Sequence, residues 1–141
     1  YSNLREVIFC IGLVLEWPNK HGFSYLGGIM KAKQEIFDLL SVLKVFDVNY
    51  VSHEDCLKLH GLNVNQTEDV VKAVRTLLLP EFNTYPQGSR QRLIALLSAK
   101  ILDSSEDFSI LFDRIELAFD NEIIDKRVFM SALLVGIESA S

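Results

Sequence analysis

The chain has 141 residues, of which 49% are hydrophobic and 23% charged, with 19 acidic against 14 basic side chains and a net charge of −5. So apolar a composition excludes a disordered chain, and a field of that sign repels phosphate backbones and anionic lipid surfaces. A chain of this length buries about two thirds of the surface its unfolded form exposes, and its two cysteines, Cys10 and Cys56, are too few for a disulfide framework.

Residues 3–16 (NLREVIFCIGLVLE) are apolar almost all round, which predicts a helix buried on most faces. Trp17-Pro18 ends it, because proline restricts the residue before it. The run 7–15 is nine residues long, about half of what a bilayer span needs, so no membrane insertion is expected. Residues 19–28 (NKHGFSYLGG), rich in glycine and carrying Phe23 and Tyr25, read as a loop. Three- and four-residue steps of apolar residues from Ile29 to Phe46 predict an amphipathic helix. Ser52 and Asp55 form a capping box for a short helix over 53–59, which Gly61 is placed to stop. Glu68-Asp69 open the next helix near Thr67, and Pro80 is expected to end it.

Residues 81–88 (EFNTYPQG), with Phe82 and Tyr85, read as a second loop. Ser89 is expected to open a helix to about Leu102, a capping box at Ser104 and Asp107 a helix to Phe119, and the last helix spans about 125–138. The expected fold is therefore all-α, a compact bundle of about seven helices joined by short connections in a single domain, 1–141. With Tyr1 in first place, that domain is expected to be cut from a longer intracellular protein, cytoplasmic or nuclear.

Phe46-Asp47, Val51-Ser52 and Cys56 echo Phe119-Asp120, Ile124-Asp125 and Phe129 at a constant offset of 73 residues, suggesting two related helical halves. The two segments, VFDVNYVSHEDCLKL and AFDNEIIDKRVFMSAL, resemble the helix-loop-helix of EF-hand proteins. A calcium loop takes about 12 residues with alternating carboxylates, a central glycine and a closing glutamate. Neither segment has that glycine, and the five-residue step from aromatic to aliphatic is too tight to wrap an ion. The resemblance thus implies a degenerate, metal-free module.

Chemistry-bearing patterns are sparse. His53, Cys56 and His60 share one side of a helix, but a structural zinc site needs a fourth ligand. The expectation is a small core cysteine with histidines at the edge of the apolar face. Cys10 lies in the most apolar segment, where desolvation disfavours its thiolate. Gly27-Gly28 lacks the lysine of a phosphate-binding loop. The pairs Glu54-Asp55, Glu68-Asp69 and Glu106-Asp107 fall in predicted first turns, where they complement helix dipoles. No catalytic residue, metal or cofactor is therefore expected.

The expected role is a non-catalytic protein–protein interaction or oligomerisation module, a scaffold or adaptor whose partner is another protein or a second copy. The warrant is that the first and the last helix are both apolar on more than one face, so that one of them is expected to meet a partner; in the last helix, apolar residues leave almost no polar side. Phe129, Met130, Leu133, Leu134 and Ile137 are its candidate contacts; a place at the bundle centre is the competing reading. Phe23, Tyr25, Phe82 and Tyr85 are the second choice, because aromatic side chains make good interface anchors. The alternative is a nucleic-acid adaptor using Lys31, Lys33, Arg90, Arg92 and Lys100, which the net charge disfavours.

Overall fold

A computed structural model describes residues 23–139, with side chains from Met30 onward. The fold is all-α: six helices occur among the described residues, and the helix expected over 3–16 lies outside them. Helix α1, Phe23–Leu43, begins six residues before the expected start at Ile29. The positions of Phe23 and Tyr25 are thus helical rather than looped. Each of its two adjacent glycines costs roughly 1 kcal/mol, which a helix of 21 residues absorbs.

The chain divides within α1 into two compact units, Tyr1–Leu39 and Leu40–Ser141. In the first unit Met30, Phe37 and Leu39 are buried, and the Gln34 side-chain amide donates to the Asp38 carboxylate one turn on, at 3.1 Å.

The second unit opens with the end of α1 and a 3₁₀ turn, Lys44–Phe46. Helix α2 is His53–Lys58, where Ser52 Oγ accepts from the Asp55 backbone N–H as the capping box predicts. Gly61 then turns the chain at φ +82°, a conformation that favours glycine. Helix α3 runs from Thr67–Ala73 through a π turn, Val74–Leu78, into Leu79–Phe82. Pro80 therefore does not end it. Proline lacks the N–H and clashes with the carbonyl four residues back, and the wider π turn just ahead of it accommodates both defects.

Helix α4 is Gln87–Leu102, two residues longer at its start than Ser89 suggests. The helix expected up to Phe119 is reduced to α5, Ser109–Phe112. Asp103 and Asp107 accept both the backbone N–H and the hydroxyl of Ser105 and Ser109, and these local turns delay the helix start to Ser109. Both carboxyls are held below their ordinary value of 3.8 by those serine bonds. Helix α6, Lys126–Glu138, starts close to the expected position, capped by the Asp125 carboxylate, which accepts from the N–H groups of Arg127 and Val128.

The core lies where α6 packs on α3 and α4. Phe46, Leu43, Leu78, Leu97, Phe108 and Leu133 are among its fully buried side chains. The echoing segments meet beside it. Asp47 and Leu117 form an antiparallel bridge, with Val48 N–H donating to the Glu116 carbonyl and Ala118 N–H to the Phe46 carbonyl, each at 2.8 Å. The Phe46 and Phe119 rings stand 5.6 Å apart. The offset also maps the cap Ser52 onto the cap Asp125. The correspondence stops upstream, because α5 ends at Phe112 and Phe119 is not helical. Only the first segment is helix-loop-helix.

One glycine sets the approach of α6 to α3. A Cβ on Gly136 would stand 2.9 Å from Val74 Cβ and Cγ1, closer than real contacts allow. Gly136→Ala is expected to destabilise the protein by about 1–3 kcal/mol through overpacking, although alanine is the better helix former by about 1 kcal/mol. Adding Val74→Ala should return part of that loss, with a coupling of about 0.5–3 kcal/mol in a double-mutant cycle of urea denaturation. A more stable Gly136→Ala protein would contradict the packing described.

Candidate interaction surface

The residues first expected to meet a partner are mostly spent inside the fold. Phe129 and Met130 are 1% exposed, Leu133 is fully buried and Ile137 is also buried; Leu134 is half-buried. The reason is position: α6 packs on two helices, α3 and α4, so its broad apolar face is the centre of the core and not a free face. Phe129 has two aromatic rings against it, Phe112 at 5.9 Å and Phe119 at 6.1 Å. Phe82 is buried and Tyr85 half-buried, their rings edge to face at 5.8 Å. The side chains of Phe23 and Tyr25 lie outside the described residues.

Lys44 and Glu81 form an ion pair at 3.1 Å, partly sheltered, with the Lys44 ammonium 5.1 Å from the Tyr50 ring centroid. Burial works to lower the Lys44 pKa, but the Glu81 hydrogen bond and the nearby Tyr85 more than offset it, leaving the ammonium above its ordinary 10.5. Burial and the Glu81 charge push the Tyr85 hydroxyl up.

Two loops are laced by side chains whose role the sequence does not announce. Asp120 accepts from the Gly61 N–H at 2.9 Å and bonds His60 Nδ1 at 2.8 Å, and those contacts hold its carboxyl below the ordinary range. Asn121 Oδ1 accepts from the Val64 N–H, and its amide donates to Asn63 Oδ1. Asn65 donates to the Glu122 carbonyl and accepts from the Ile124 N–H. His60 is thus engaged by a carboxylate, His53 is exposed and Cys56 is only half-buried rather than in the core. Among the described residues no three His, Cys, Asp or Glu side chains gather as a metal site.

Arg127, on the first turn of α6, closes the other end of the unit. Its guanidinium donates to the carbonyls of Ile101, Asp103 and Glu106 and lies 5.3 Å from the Phe108 ring centroid. Carbonyls at the end of α4 otherwise lack partners in the helix. Phe108 sits at φ 63°, the one non-glycine left-handed residue among those described, and Glu106 accepts its N–H. Arg127 ties 101–108 to the start of α6, where Ile124 borders Glu106, Asp107 and Phe108. Ile124 is 88% and Leu102 81% exposed, and Ile110 and Val128 are also open to solvent. Val135, two turns along the outer face from Val128, is exposed as well.

A half-open cleft of about 250 Å³ lies elsewhere in the same unit. Leu79, Phe82, Ile94 and Ile137 line it with apolar surface, and Asn83, Gln87, Arg90 and Gln91 supply donors. Of the basic residues considered for nucleic acid, Arg90 and Arg92, both on α4, are two residues apart and point to different sides of that helix, and Lys31 and Lys33 lie on α1. No protein-family model, curated protein or solved structure matches the chain.

Proposed function

We propose that the chain is a non-catalytic protein–protein interaction or oligomerisation domain that meets its partner through the end of the unit organised by Arg127. The observation carrying this reading is the exposure of Leu102 and Ile124, large apolar side chains on the two segments that the Arg127 guanidinium ties together. Scattered exposed apolar residues are ordinary on a monomer. Two at above 80% exposure on adjoining segments are a liability unless something covers them. The outer face of α6, with Val128 and Val135, extends the same surface.

Light scattering coupled to size exclusion tests the reading across a hundredfold range of protein concentration. The mass is expected to rise from 16.0 kDa towards twice that value, with little response to salt, because the surface is apolar. A mass fixed at 16.0 kDa, together with oligonucleotide binding that falls steeply with salt, would favour the nucleic-acid alternative instead.

A further inference from the structure

The cleft beside α4 has properties that the exposed end of the unit lacks. Its floor is apolar and built into the core, since Phe82 and Ile137 are both buried. Its rim carries amides from Gln87 and Gln91 and the guanidinium of Arg90, and among the described residues no acidic side chain lines it, in a chain whose net charge is −5. Arg90 Nε is buried with no hydrogen-bond partner among the described residues. Such a donor ordinarily finds a partner, and its absence calls for an explanation. Gln87 is also the first residue of α4, a helix of 16 residues whose cap, Pro86, has no side chain that accepts a bond. The positive end of the helix dipole therefore adds to the Arg90 charge. At about 250 Å³ the cleft is smaller than the 300–1,000 Å³ of sites that enclose drug-sized ligands. It suits a single side chain.

We propose that this cleft is an anchor pocket for a protein segment in which a leucine-sized apolar side chain is followed by an aspartate or glutamate. The apolar group enters between Phe82, Ile94 and Ile137, and the carboxylate meets the Arg90 guanidinium with Gln87 and Gln91 beside it. This inference rests on the interaction role proposed above and gives one partner its chemistry. A charge-assisted pair with arginine contributes roughly twice what a neutral hydrogen bond does, so specificity lies in the carboxylate and affinity in the apolar anchor.

The test is an amide NMR titration of the full ¹⁵N-labelled chain with three capped dipeptides: acetyl-Leu-Asp-amide, acetyl-Leu-Asn-amide and acetyl-Ser-Asp-amide. The first is expected to shift the amides of Asn83, Gln87, Arg90 and Gln91 and to bind at least fivefold more tightly than either of the others. Arg90→Gln should erase the preference for Asp over Asn while the remaining spectrum stays unchanged. Ile94→Glu, which places a carboxylate in the cleft, should abolish binding and serves if Arg90→Gln misfolds. Equal binding of the three peptides, no shifts, or shifts confined to other segments would overturn the proposal. If the peptides fail but concentration-dependent association persists, the cleft assignment falls and the interaction role stands. Selective peptide binding without any such association upholds the cleft and removes the exposed end as a self-association surface.

Discussion

Phe129→Glu is expected to unfold the second unit at neutral pH. The side chain is 1% exposed and packs edge to face with the rings of Phe112 and Phe119. Truncating a buried phenylalanine costs about 3–5 kcal/mol, and a carboxylate in its place must either stay protonated or be stripped of water among aromatic rings. The sum is comparable to the 5–15 kcal/mol by which a whole domain is stable. Circular dichroism should therefore show the helical signal lost, whereas Val135→Glu, on the outer face of the same helix, should stay within about 0.5 kcal/mol of the parent. A folded Phe129→Glu protein that had merely lost association would make the inner face of α6 an interface after all.

Arg127→Ala is the second large effect. The guanidinium donates to three carbonyls from two turns of chain and covers the Phe108 ring. Hydrogen bonds from a charged donor contribute about 1.5–3 kcal/mol each, and partial exposure of this one reduces the total, so a loss of about 3–4 kcal/mol is expected. Part of the loss comes from Phe108, whose left-handed conformation is costly for a non-glycine residue and whose ring the guanidinium faces. Arg127→Lys should recover little, because one ammonium does not reproduce a planar fork that reaches several carbonyls. Urea denaturation measures the loss. Faster amide exchange over residues 103–112, with α3 still protected, is the accompanying local signature. A loss below about 1 kcal/mol would mean that the segment is held by its own turns.

Much of the helical scaffold is legible in the residues, and the misses have identifiable causes. Ser52 and Asp125 mark their helix starts because a side-chain oxygen facing the second or third N–H is a local device, readable within four residues. Pro80 misleads, since its effect depends on whether the preceding turn can widen, and that is decided by the packing of Val74 and Leu78 in the core. Residues 104–119 mislead for the opposite reason: the apolar spacing of Phe108, Leu111 and Phe112 fits a helix, but the Asp103–Ser105 and Asp107–Ser109 turns and the left-handed Phe108 keep 103–108 out of it, so the helix starts only at Ser109. The apolar character of α6 is plain in the sequence, yet its burial is not, because only the packing against α3 and α4 shows which helix is central. The exposed end built from Leu102 and Ile124 is hidden for a related reason. Those residues lie 22 positions apart, and the arginine that joins their segments reads by itself as a solvated first-turn charge.

The most direct test of the interaction surface is the mass, by light scattering, of a Leu102→Glu/Ile124→Glu variant at concentrations where the parent chain associates. Both side chains are largely exposed, so the variant should keep the parent's helical signal and thermal midpoint while its mass stays at 16.0 kDa. An equally folded variant that associates as strongly as the parent would contradict the assignment of this end of the unit to the partner.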